Sequence, residues 1–201
     1  ALSQHAIGAA CEAGLGVEQN YTEAANWYRE AAAAGLAEAH HNLANLYLHG
    51  SGVGQDDATA AGHFQQAAAA GLVEAQHAMG ILSLEGRGVP RSAETAANWF
   101  ELAAAQGSLT DQINLGVLYA LGNGVPQNFF EAAKWFRQAA EAGHPIAQVH
   151  LAELLLNGDG VACDPEAARQ WLDRAIDSGD AQATDAAREV RERHKLAAFG
   201  D

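Results

Sequence analysis

The chain has 201 residues, is 49% hydrophobic but only 7% aromatic, and carries a formal net charge of −14. So large an acid excess repels phosphate backbones and anionic lipid, which argues against nucleic-acid binding and charge-driven membrane attachment. No stretch approaches the ~20 apolar residues of a membrane span, so no direct membrane insertion is expected. Length alone would allow one or two globular cores. The chain instead repeats itself every 36 residues without an insertion: Gly35, Gly71, Gly107, Gly143 and Gly179 are in register, as are Val17, Val53, Val89, Val125 and Val161. Such a period marks a stacked array whose units contact their neighbours and present a long surface.

The repeats fall at 1–35, 36–71, 72–107, 108–143 and 144–179, with a tail at 180–201. In the second, Ala39, Leu43, Ala44 and Tyr47 have helical spacing and predict a first helix. Gly50 and Gly52 end it by supplying a left-handed cap and a tight turn, and Val53 is expected to tuck the loop onto the core. The next helix has a start signal repeated at Asn20, Asp56, Ser92, Asn128 and Asp164, each with a short side-chain oxygen able to accept from a free helix N–H. Pro165 suits the first helical position. Glu23 and Glu131, three residues after Asn20 and Asn128, resemble capping-box partners. The second helix carries Ala60, Phe64, Ala67 and Ala68 and ends at Gly71. Its aromatic pair is Trp27-Tyr28, His63-Phe64, Trp99-Phe100 and Trp135-Phe136, with Trp171-Leu172 in the fifth repeat. The tryptophans, a large ring at this spacing, are expected to fill the space between helix pairs.

In the tail, Ala183, Ala187 and Val190 form an apolar stripe among Arg188, Glu189, Arg191, Glu192, Arg193 and Lys195. One buried and one solvated face predict a capping helix over roughly 180–197. The chain opens with Ala1 almost inside the first helix, which reads as a mature product or a piece cut from a longer protein. Cys11 and Cys163 lie in the first and fifth repeats, too far apart in a linear array for a disulfide.

The pattern Asp111…Leu115-Gly116…Tyr119…Gly122-Asn123-Gly124-Val125, then Ala132…Trp135-Phe136…Ala139-Ala140…Gly143, resembles Sel1-like repeats, relatives of tetratricopeptide repeats. The resemblance covers residues 1–179. It implies an all-α fold, a right-handed superhelical solenoid of antiparallel helix pairs. It also implies a non-enzymatic adaptor or scaffold that binds proteins, in bacterial signalling or envelope organisation, with the envelope or periplasm as the expected location and the cytoplasm as the alternative. The repeats depart from one another at several places. Asp111 replaces the Ala of 39, 75 and 147, Ser83 and Leu155 replace the Tyr of 47 and 119, and His63 replaces the Trp.

By analogy with tetratricopeptide stacks, the first helices line a concave face. The candidate partner-binding positions are His41, Asn45 and His49, then His77, Ile81 and Leu84, then Ile113, Val117 and Leu121, and finally Val149, Glu153 and Leu156. This face is polar and His-rich toward the N-terminus and apolar toward the C-terminus. It suits a protein or peptide with apolar anchors and basic flanks; burial by the array itself or by self-association is the competing account of the apolar strip. The ladder His5, His41 and His77 suggests a metal or pH-sensitive site. Neighbouring helices ~8–10 Å apart cannot bring its rings to one ion by themselves, so ordinary groove polarity is favoured and no metal is expected. Asp111, near a helix start, is expected to be held by local donors. No nucleophile, base and oxyanion site assemble, so no catalytic residue and no cofactor are expected. A small hydrolase and a self-associating structural element are the alternatives to an adaptor.

Overall fold

The computed structural model describes residues 1–195, and among them lie eleven α-helices and no strand. They form two compact units, 1–106 and 107–201. The first holds α1 (Leu2–Ala13), α2 (Tyr21–Ala33), α3 (Ala37–His49), α4 (Asp57–Ala69), α5 (Val73–Glu85) and α6 (Ala93–Ala105). The second holds α7 (Leu109–Leu121), α8 (Phe129–Glu141), α9 (Pro145–Asn157), α10 (Pro165–Asp177) and α11 (Ala181–His194). Within each unit consecutive helices pack as hairpins, and each hairpin packs on the next. In the C-terminal unit, α11 packs on both α9 and α10. It buries Ala183, Ala187 and Val190, as its apolar stripe predicts. The last part of the expected tail, 196–201, lies outside the described residues.

The first helices end, and the second helices start, where the sequence says; α4 stops at Ala69, two residues before Gly71. Gly14, Gly50, Gly86, Gly122 and Gly158 close the first helices in the left-handed conformation. Asn20, Asp56, Ser92, Asn128 and Asp164 each cap the following helix with a side-chain oxygen. The capping-box reading of Asn20 and Asn128 fails on its second half. The cap N–H of Asn20 donates to the carbonyl of Cys11 at 2.8 Å, and that of Asn128 to the carbonyl of Tyr119 at 2.9 Å. The same joint recurs at Asp56–Tyr47, Ser92–Ser83 and Asp164–Leu155. The cap N–H is therefore already engaged by the preceding helix, and no glutamate is needed.

Small residues let the helices close on one another. Gly88, at φ 68°, sits so near the start of α4 that a Cβ would lie 1.9 Å from the carbonyl oxygen of Asp57. Gly80 and Gly116 lie against the rings of Phe100 and Phe136, where a Cβ would come within 2.2 and 2.6 Å. The fully buried ring of each hairpin is the second of the aromatic pair: Tyr28, Phe64, Phe100 and Phe136, with Leu172 in the fifth. Trp27, Trp99, Trp135 and Trp171 are only half-buried. The expectation that the tryptophan fills the hairpin is thus shifted by one residue. One step along a helix turns ~100°, which carries the tryptophan to the edge of the interface. Both cysteines are free thiols, Cys11 buried and Cys163 exposed.

Candidate functional site

In the N-terminal unit the histidine ladder is a packing device. His5 lies on Tyr28 with ring centroids 5.5 Å apart, His41 meets Phe64 edge-on at 5.4 Å, and His77 lies on Phe100 at 6.1 Å. Each imidazole thus covers the buried ring of its own hairpin. His5 also shares a 3.0 Å hydrogen bond, through Nε2, with the Asn42 amide. Burial pushes the pKa of His41 down, against the pull of Glu74. His5, Glu38, His41, Asn42, Leu72 and Glu74 line a hollow of about 320 Å³. Asn45, Ile81 and Leu84 are half-buried and His49 is exposed. Among the described residues no three His, Cys, Asp or Glu side chains converge on a point that could hold a metal ion.

The C-terminal unit presents a different face. A groove of about 470 Å³ is lined by Val117, Ala120 and Leu121 from α7 and by His150, Glu153, Leu154 and Asn157 from α9. Phe129, Phe136, Gln127 and Asp159 complete it. Leu121 is 69% exposed. Two of the residues expected to anchor a partner are not on this surface. Ile113 is only 9% exposed and Val149 only 4%, both inside the unit's core. The reason is rotational. The position two before the repeat leucine points at the ring of its own hairpin, as His41 does. The next position reaches the ring of the preceding hairpin, as His150 does on Phe136 at 4.8 Å. His150 and Leu154 therefore line the groove where Val149 was expected to, and Leu156 is half-buried.

Glu153 is not a free acid. Arg193 of α11 donates to it at 2.9 Å, and His150 Nδ1 approaches it at 3.8 Å. The His150 contact first, and Arg193 after it, hold the carboxyl below the usual carboxylate range, against the effect of burial. The groove wall is apolar and its rim, formed with Asn157 and Asp159 (bonded at 3.2 Å), is mostly self-paired. Asp111, the other irregular residue of α7, is fully buried. The Ser108 hydroxyl donates to it at 2.5 Å, and Ser108 also caps α7 by accepting from the Asp111 N–H. A carboxylate at an alanine position is tolerated because a serine stands where Leu36, Leu72 and His144 start the equivalent helices.

Stacked helix hairpins, each closed by a Gly-x-Gly-Val turn, define an α-solenoid of short repeats, the class built for surface recognition. Sel1 repeats match this chain at residues 1–36, 37–72, 73–108, 111–144 and 145–180, and it belongs to the Sel1 repeat family. The chain is similar to a protective antigen of uropathogenic Escherichia coli with an SLR fold, at 33% identity and a TM-score of 0.90. That match covers 100% of this chain but only 43% of the antigen, so the chain spans less than half of its length. It is also similar to a Sel1 repeat protein of Oxalobacter formigenes, at 31% identity and a TM-score of 0.87, covering 92% of this chain and 76% of that one. No curated protein sequence matches it. No helix among the described residues is long and apolar enough to cross a membrane.

Proposed function

We propose that the chain is a non-enzymatic adaptor that holds a partner protein in the groove of its C-terminal unit. The observation that carries this is Leu121, which stands 69% exposed beside Val117, Ala120 and Leu154 in an otherwise acidic protein. An exposed leucine on a rigid helix, set in an apolar groove with a polar rim, is the arrangement that takes an apolar anchor from a helix or extended segment. The chain's acid excess favours a partner with basic residues beside that anchor. Leu156 flanks the anchor site, and Ile113 and Val149 support it from beneath. In the N-terminal unit, His41, Asn45 and His49 offer polar groups for partner selection, with His77, Ile81 and Leu84 of the next repeat beside them. Because the similar Escherichia coli protein is a protective antigen, the bacterial envelope is the location this reading adopts.

The test is a pull-down from native cell extract with the intact chain and a Val117→Glu/Leu121→Glu variant. The parent should retain a protein that the variant loses, with unchanged helicity by circular dichroism. Equal retention by the folded variant overturns the groove as the binding site. A parent that changes size with concentration, and a variant that does not, would replace the adaptor with self-association.

A further inference from the structure

The second repeat carries two histidines where other repeats carry non-titrating side chains, and the two touch. Gln76 of α5 and Gln148 of α9 donate to the carbonyls of Ala68 and Ala140, at 3.2 and 3.3 Å, tying a first helix to the end of the helix before it. His40 occupies the same register on α3 and faces the carbonyl of Ala32. His63 of α4 stands where Trp27 and Trp99 stand in the neighbouring repeats. Their Nδ1 atoms are 2.9 Å apart and their ring centroids 5.2 Å apart. Either change alone would be an ordinary substitution. Their coincidence makes the one direct imidazole–imidazole hydrogen bond recorded among the described residues.

We infer that the His40–His63 pair is a proton-sensitive latch that holds α3 to α4 when neutral and releases them on acidification. A neutral pair satisfies itself, one Nδ1–H donating to the other's lone pair. When both rings are protonated, two N–H groups and two positive charges face each other with no acceptor between them. The surroundings offer no relief. From α2, Arg29 adds a positive charge, and it donates to the hydroxyl of Tyr47, whose ring stacks on His63. The acids nearby are turned elsewhere: Glu30 of α2 is engaged by Gln4, Glu38 of α3 lines the His5–His41 hollow, and Glu74 of α5 acts on His41. Burial lowers the pKa of both rings; for His63 the His40 ring and Arg29 add to it, and for His40 the Ala32 carbonyl works the other way. Because both values fall below the unfolded 6.5, the latch is fully set above that pH. Its contribution is lost as the pH drops through 6.5 toward the folded values. Gln76 and Gln148 do not titrate, so the third and fifth repeats lack this response.

The test compares the intact chain with His40→Gln, His63→Trp and the double variant, each restoring a residue that the repeat carries elsewhere. Histidine ring NMR should show both midpoints below 6.5 in the parent. Replacing His40 should move the His63 midpoint up toward its ordinary value, since the His40 ring helps to hold it down. Between pH 8 and 5, intrinsic-rate-corrected hydrogen exchange in α3 and α4 should accelerate in the parent by about tenfold for each pH unit of lowered midpoint. The acceleration should shrink in the double variant, where His41 still titrates. If His63→Trp fails to fold, His40→Gln still carries the midpoint and exchange readouts on His63. Ordinary midpoints in the parent, a His63 midpoint that ignores the loss of His40, or equal acid response in the double variant would each overturn the latch.

Discussion

The two units use one packing plan and put different chemistry on it. In the N-terminal unit, the position that covers the buried ring is histidine three times over, in His5, His41 and His77, and the adjacent hollow is lined by Glu38 and Glu74. In the C-terminal unit the same register holds Ile113 and Val149, which sink into the core and leave Val117, Leu121 and Leu154 to form an apolar wall. The difference teaches that the ring-covering position controls the surface next to it. A polar side chain there stays half-exposed and wets the groove, whereas an aliphatic one withdraws and leaves its neighbours to set the chemistry.

The shared plan is tested most severely at the ring. Phe64→Ala in the N-terminal unit and Phe136→Ala in the C-terminal unit should each cost about 3–5 kcal/mol in urea unfolding, because both remove a fully enclosed side chain. Trp99→Ala, at the half-buried position, should cost clearly less. Equal losses for Trp99 and Phe64 would break the assignment of the second aromatic as the core. A smaller effect concerns α7 alone. Ser108→Ala removes the hydroxyl that serves buried Asp111 and should cost about 1–3 kcal/mol. Adding Asp111→Ala, which restores the repeat's alanine, should recover most of that loss, and a double variant no better than the single would refute the pairing.

The smallest effect distinguishes the C-terminal rim. Arg193→Ala should change stability by no more than about 1 kcal/mol, since the ion pair with Glu153 is half in solvent. Glu153 has a depressed folded pKa, so its contribution is complete above the ordinary carboxylate value of 4.5 and lost as the pH falls through the lower folded value. Urea titrations should therefore separate Arg193→Ala from the parent more at pH 7 than at pH 3. A difference of the same size at both would show that Arg193 acts through packing.

Much of this architecture is legible in the chain. The period, the Gly-x-Gly-Val turns and the five capping oxygens place the hairpins, because each is a local preference repeated in register. Which face of a helix meets which neighbour is less legible. A shift of one residue rotates a side chain by ~100°, and that shift separates half-buried Trp135 from enclosed Phe136, and core Val149 from groove-lining His150. The His40–His63 contact is a still harder case. Each substitution is visible against the repeat, but that they meet depends on the hairpin's closure. Arg193 beside Glu153 is equally hidden, since it joins residues 40 apart across α9 and α11.

The joint at each turn has one further consequence. Cys11, Tyr47, Ser83, Tyr119 and Leu155 present four kinds of side chain at one register, yet at each the main-chain carbonyl accepts from the N–H of the next helix's capping residue. A hinge made entirely from main chain is blind to the alphabet of side chains around it. A substitution there that still fits the packing leaves the bond intact, so the turn can persist while the side chains around it drift.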